Sequence, residues 1–89
     1  LYYFYPHQEI EEFVIPDSVI FVMKNILYNN KFVKKITIGA NVLEISSGAF
    51  YGCAALETVE MKSTKLVRIA ENAFFNCAKL SSIVIGILT

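Results

Sequence analysis

This sequence has no excess of charge of one sign, no long hydrophobic run and no set of metal ligands. Eight basic and eight acidic residues cancel, whereas a nucleic-acid binder needs a basic surface. No apolar run approaches the roughly 18 residues of a membrane-spanning helix. One histidine and two cysteines are too few for the usual zinc site. We therefore expect no nucleic-acid partner, no membrane insertion and no cofactor.

Apolar residues are abundant, at 55% of the chain, and they recur at a regular spacing. Residues 49–56 return as residues 73–80 after a shift of 24, and earlier copies align at shifts of 23. Such self-similarity is typical of a repeat protein. Since both ends fall inside a unit, we expect the chain to be a fragment of a longer array. The predicted units are 13–35, 36–58 and 59–82, with partial units at 1–12 and 83–89.

The third unit is one residue longer than its neighbours. We place the extra residue within 62–65, which aligns Leu66 with Val42. An alternative alignment matches Leu66 with Leu43 and moves the insertion to the next few residues. The sequence does not distinguish the two.

Each unit contains one short segment in which apolar residues occupy the first and third positions. Alternate side chains of a strand face opposite sides, so these residues face inward and the middle residue faces outward. A unit with a single strand cannot bury its apolar side alone, and stacked units pair their strands in parallel. The return leg, with Ala49-Phe50 and Ala73-Phe74, predicts a short helical or 3₁₀ turn. The predicted strands are 13–15, 36–38, 59–61 and 83–85.

The outward positions of these strands form the predicted contact surface. They are small and mixed in charge, so they do not indicate the kind of ligand. The candidate interaction surface consists of Glu12, Val14, Lys35, Thr37, Thr58, Glu60, Lys62, Ser82 and Val84.

Cys53 and Cys77 occupy the same inward position of consecutive units. Stacked strands lie about 4.8 Å apart, which is within the range of Cα separations of disulfides. A disulfide is therefore geometrically possible. A buried cysteine also behaves as a small apolar residue, and we favour free thiols in the core.

Other residues that carry chemistry are isolated. His7 could act as a base, but no nucleophile accompanies it, and a surface position at the end of the stack is favoured. The acidic pairs Glu11-Glu12 and Glu57/Glu60 lack the cleft that paired catalytic carboxylates need. The four glycines are too scattered for a phosphate-binding loop. The sequence therefore predicts a protein that is not an enzyme.

The two ends of the chain are unusually apolar. Residues 2–5 form an aromatic cluster that could be a binding hot spot, although covering the open end of the core is the favoured interpretation. Residues 83–88 are typical of an uncapped strand. Because exposed strand edges pair with other chains, we expect end-to-end self-association of this chain.

Two motifs resemble those of a known repeat family. Residues 33–43 fit the leucine-rich-repeat pattern L-x-x-L-x-L-x-x-N-x-L. Residues 42–56 and 66–80, with A-F-x-x-C-x-x-L in their second half, resemble the BspA-like (treponemal-type) leucine-rich repeats, as does the I-P-x-x-V element at 15–19. The resemblance is weaker in 1–35, where Asn30 and His7 replace the cysteine and Ile26-Leu27 replaces Ala-Phe.

The resemblance implies a right-handed leucine-rich-repeat solenoid of the α/β repeat class, with its parallel sheet on the concave side. It also implies a non-catalytic protein-protein interaction module, part of a cell-surface or secreted adhesin-like protein. The alternative is a structural spacer or capping segment of a longer repeat protein, with no ligand of its own.

Overall fold

The computed structural model describes residues 8–85. His7 and the aromatic cluster at 2–5 lie outside the described residues, as do residues 86–89. For strand residues Ser82 and Val84 of the candidate interaction surface, only the backbone is described.

Within residues 8–85, seven short strands form two parallel sheets, and each successive unit up to β6 contributes one strand to each sheet. The first sheet has the order β1-β3-β5-β7 and the second the order β2-β4-β6. The predicted parallel strands at 13–15, 36–38, 59–61 and 83–85 are confirmed, with each strand beginning one residue earlier and the first also ending one residue earlier. The second sheet was not predicted from the sequence. The strands are β1 Glu12–Val14, β2 Phe21–Val22, β3 Lys35–Ile38, β4 Glu44–Ile45, β5 Thr58–Met61, β6 Arg68–Ile69 and β7 Ser82–Ile85.

Strand pairing follows the repeat spacing along the first sheet. Glu12 lies opposite Lys35, Lys35 opposite Thr58, and Thr58 opposite Ser82. These steps are 23, 23 and 24 residues, so equivalent side chains form columns that run across the strands. The unit boundaries given above stay a proposal, because the pairing gives the period and not where a unit begins.

Backbone hydrogen bonds locate the extra residue of the third unit. The N–H of Leu43 donates to the carbonyl of Ile20 at 2.7 Å, and the N–H of Val67 donates to the carbonyl of Leu43 at 2.8 Å. Leu43 and Val67 therefore hold the same place in consecutive units, and Leu66 aligns with Val42. The insertion precedes position 66, as the first of the two alignments predicts.

The side chain of Ser63 accommodates this insertion. It is buried, and its hydroxyl donates to the carbonyl of Val42 at 2.6 Å while accepting from the N–H of Lys65 at 3.1 Å. A buried hydroxyl without partners would destabilise the fold, and here it has two. The additional residue is therefore accommodated without leaving the buried Ser63 hydroxyl unpaired.

The core lies between the two sheets and the return legs. Inward positions of β1, β3 and β5 are buried, in agreement with the predicted alternation, and β2 and β4 each contribute one fully enclosed side chain. Ile69 of β6, in contrast, is 46% exposed, because no further described unit packs against it. The buried apolar core includes Phe13, Ile15, Val22, Leu27, Val33, Ile36, Ile38, Val42, Ile45, Ala49, Phe50, Cys53, Leu56, Val59, Met61 and Ala73.

The return legs differ from the prediction. Residues 8–85 contain no helix, so the predicted helical or 3₁₀ turn is not confirmed. Each leg instead has a two-residue strand followed by successive turns closed by short-range bonds, such as the N–H of Ala49 to the carbonyl of Ser46 at 3.2 Å. The handedness of the stack stays a prediction.

Left-handed backbone at two positions in each leg explains the absence of a helix. A right-handed helix needs consecutive residues with negative φ, and here the run is interrupted twice within five residues. Only glycine and asparagine occupy these positions, which are the residue types that tolerate this conformation best. The two columns are Asn25, Gly48, Asn72 and Asn29, Gly52, Asn76.

The glycines also make room for the asparagines of the preceding unit. A Cβ atom on Gly48 would lie 2.3 Å from Oδ1 of Asn25, and one on Gly52 would lie 2.0 Å from Oδ1 of Asn29. Both distances are far below van der Waals contact. The unit 36–58 therefore depends on glycine for two reasons. Glycine adopts the left-handed backbone, and it lets the asparagine side chains of the preceding unit come close.

Candidate interaction surface

The first sheet brings the predicted contact residues together on its outer face. Glu12, Lys35 and Thr58 form one column, which the backbone of Ser82 continues. Glu12 is exposed and the other two side chains are partly exposed. The strand spacing of about 4.8 Å makes this a continuous face.

A second column runs parallel to the first and is more varied. It contains Val14, Thr37 and Glu60, followed by the backbone of Val84. Val14 is 58% exposed, which places an aliphatic side chain in water at one end of the column. Lys62, directly after β5, is exposed and continues the face beyond the strand.

Charges on this face are paired across the strands. Nζ of Lys35 lies 3.7 Å from Oε1 of Glu60, and both side chains remain well exposed. An exposed pair of this kind stabilises a protein by about 0–1 kcal/mol. The pair therefore orients two side chains on the surface and contributes little to the stability of the fold.

A row of charged residues with alternating sign borders the strands. Glu11, Lys34 and Glu57 are exposed and are joined by backbone hydrogen bonds from Lys34 to Glu11 at 2.7 Å and from Glu57 to Lys34 at 2.8 Å. Opposite charges on neighbouring strands attract. The surface consequently presents both signs of charge and no field of one sign.

The acidic residues Glu11, Glu12 and Glu57 are exposed, and Glu60 pairs with Lys35. Within residues 8–85, no cluster of three or more potential metal-ligating side chains is found. A shallow apolar depression at the first unit carries no acidic or basic group. It is lined by Phe13, Ile15, Pro16, Val19, Phe21, Val22, Met23 and Ile26.

Both cysteines are free, as the sequence predicts, but their environments differ. Cys53 is fully buried and Cys77 is partly exposed. The adjacent Cys77 thiol, together with burial, raises the pKa of Cys53. The adjacent Cys53 thiol lowers the pKa of Cys77, although partial burial opposes this effect.

Sequence reasoning missed an aromatic ladder on the return legs. The rings of Tyr28 and Tyr51 stack with centroids 4.9 Å apart and an interplanar angle of 13°. Tyr51 and Phe75 continue the ladder at 5.6 Å and 31°. The signal was available, because these residues are aromatic at the repeat spacing. The aromatic rings pack against each other, so the ladder joins consecutive units.

The outer face of the second sheet was also missed. Phe21 is 55% exposed there, and Glu44 and Arg68 form an ion pair between β4 and β6. Two-residue strands are too short to show an alternating pattern, which explains why no sequence signal indicated this face.

Comparison with known proteins gives one match. The protein-family model described as the BspA type leucine-rich repeat region matches residues 1–87, in six copies. Neither the curated proteins nor the solved structures gave a match. Among the described residues, none belongs to a helix of the length and apolar character needed to cross a membrane.

Proposed function

Because the chain belongs to the BspA-type leucine-rich repeat family, we propose that it is a protein-interaction module that binds its partner on the outer face of the first sheet. Leucine-rich repeats are generally non-catalytic binding modules, and repeat proteins use extended surfaces of stacked units for recognition. The observation that carries the proposal is the in-register exposure of two side-chain columns over β1, β3 and β5.

The composition of this face supports a protein partner rather than a small molecule. Small ligands favour deep, mostly apolar pockets, whereas this face is shallow and carries Thr37, Thr58 and the Lys35–Glu60 pair. Backbone groups of the strands are engaged in pairing between units. Recognition would therefore depend on side chains, with Val14 as an exposed aliphatic contact.

We further propose that the parent protein is an adhesin-like protein at the cell surface or secreted, with the units stacked in a right-handed solenoid. The support is the family membership alone, since fold does not imply function. The rival proposal is a structural spacer or cap without a ligand. The outer face of the first sheet carries small side chains of mixed charge, which favours this rival.

A binding experiment with matched variants discriminates the two. The chain is immobilised and screened by biolayer interferometry against purified extracellular proteins, and any binder is retested with the triple variant Thr37→Ala, Thr58→Ala, Glu60→Ala. We expect a loss of affinity of about tenfold or more, since a few central residues dominate most interfaces.

The matched control is Glu44→Ala, Arg68→Ala on the second sheet, which should bind like the unmodified chain. If no extracellular protein binds, or if the triple variant binds as tightly as the unmodified chain, the interaction proposal fails and the spacer stands.

End-to-end association is a separate proposal, supported by the strand edges. Among the described strands, β1 pairs only with β3 and β7 only with β5, which leaves one edge of each without a described neighbour. Multi-angle light scattering over a range of concentrations should show species larger than the 10.0 kDa monomer. A monomer at every concentration would contradict association.

A further inference from the structure

Two thiols occupy equivalent places in the return legs of consecutive units. Sγ of Cys53 donates to the carbonyl of Leu27 at 3.3 Å, and Sγ of Cys77 donates to the carbonyl of Phe50 at 3.2 Å. Leu27 and Phe50 are themselves equivalent positions, one unit apart. The two cysteines therefore make the same hydrogen bond on neighbouring rungs of the stack.

The backbone around the cysteines is joined between the two units. The N–H of Phe50 donates to the carbonyl of Ala73, and the N–H of Gly52 to the carbonyl of Phe75, both at 2.8 Å. Neighbouring strands lie about 4.8 Å apart, and the hydrogen bonds between these two legs are of the same kind; that spacing is within the 4.4–6.8 Å range of Cα separations in disulfides. A bond between the two sulfurs thus needs little movement of the backbone.

The two thiols are unequal in reactivity. Cys77 is partly exposed, and the adjacent Cys53 lowers the pKa of Cys77. Cys53 is enclosed by the core, and the adjacent thiol and burial raise its pKa. Because the thiolate is the nucleophile, Cys77 is the thiol that an oxidant reaches and that reacts first.

We propose that Cys53 and Cys77 form a redox pair that bridges two consecutive repeat units, with Cys77 attacking and a low-molecular-weight disulfide as the oxidant. This proposal does not depend on the proposed interaction function. The two cysteines would then be a site of oxidation in addition to packing against the core.

The reaction proceeds in two exchange steps. The Cys77 thiolate attacks one sulfur of the oxidant RSSR, forms a mixed disulfide and releases RS⁻. The released RS⁻ then takes the proton of Cys53, and the Cys53 sulfur attacks the Cys77 sulfur, so that the Cys53–Cys77 bond forms and the second RS⁻ leaves. The two cysteine thiols lose two electrons in total, and RSSR is reduced to two thiols.

Intact-mass measurement tests the pair. The reduced full chain is incubated with oxidised glutathione, quenched with acid, and treated with iodoacetamide after the pH is restored. We expect a product about 2 Da lighter than the reduced chain, with no alkylation, and circular dichroism should show that the fold is retained. A chain that keeps two alkylatable thiols, or that stops at a stable glutathione adduct, would overturn the proposal.

Two single variants separate the roles of the cysteines. Cys53→Ala should accumulate a glutathione adduct at Cys77, whereas Cys77→Ala should react at least about tenfold more slowly, because its remaining thiol is buried. Equal rates in the two variants would contradict the attacking role of Cys77.

Guanidinium provides a measurement that does not depend on either variant folding. At the same glutathione concentration, the denatured wild-type chain should form the bridge about tenfold less favourably, because the fold no longer raises the effective concentration of one thiol near the other. Equal bridging in the folded and denatured chains would show that the stacking plays no part, and would overturn the proposal.

Discussion

The strand half and the return half of each repeat unit are built on different principles. The strands of the first sheet alternate buried and exposed side chains, as in β3 and β5, and this alternation is visible in the sequence. The return legs have two-residue strands and left-handed turns; their residues recur from unit to unit, but they show no alternation of buried and exposed side chains. Side-chain burial thus specifies the first half, whereas backbone conformation and contacts between units specify the second.

The largest expected effect is on the strand half. Ile36→Ala removes a fully buried side chain from β3 and should lower the free energy of unfolding by about 2–5 kcal/mol, because it leaves a cavity. The matched control is Ile69→Ala in the second sheet, where the side chain is 46% exposed and the loss should be about 1 kcal/mol or less. Urea denaturation measures both, and equal losses would show that burial of the side chain does not decide the cost.

A backbone substitution addresses the return half. Gly52→Ala combines a left-handed φ of 71° with a clash against Oδ1 of Asn29, and we expect a loss of roughly 2–3 kcal/mol. Adding Asn29→Gly to this variant removes the clash, and glycine tolerates the left-handed φ of 60° at position 29. The strain at position 52 remains, so the double variant should recover about half of the loss. No recovery would show that the close approach is unimportant.

A buried asparagine in the return half provides a smaller effect. Oδ1 of Asn30 accepts from the N–H groups of Phe32 and Val33 at 2.8 and 2.9 Å, and its Nδ2 donates to the carbonyl of Gln8 at 2.9 Å. Asn30→Ala leaves these groups unsatisfied and should cost about 1–3 kcal/mol. Thermal unfolding checks this estimate. An unchanged midpoint would mean that water replaces the amide.

The smallest expected effect is on the surface of the strand half. A double-mutant cycle on Lys35 and Glu60 should give a coupling energy of about 0.2–1 kcal/mol that vanishes in 1 M salt, because the pair is exposed and screened. A coupling that persists in high salt would show that the pair contributes more than a solvated contact.

The candidate interaction surface could be predicted from the sequence as far as the strands of the first sheet could. The columns Glu12–Lys35–Thr58 and Val14–Thr37–Glu60 follow from the spacing, because side chains at equivalent positions of parallel strands must stack. The diagonal Lys35–Glu60 pair did not follow, since it depends on side-chain rotamers. The binding role of this face remains a proposal.

By itself, the sequence determined the repeat spacing, the strands of the first sheet, the inward residues and the family, because each is carried by hydrophobic residues at regular intervals. Only the tertiary structure decided that the return legs lack a helix, that a second sheet forms and that the insertion precedes Leu66. The physical reason is that these features depend on hydrogen bonds between units, such as Val67 to Leu43. They also depend on asparagines and glycines whose left-handed backbone is not reflected in the pattern of hydrophobic residues.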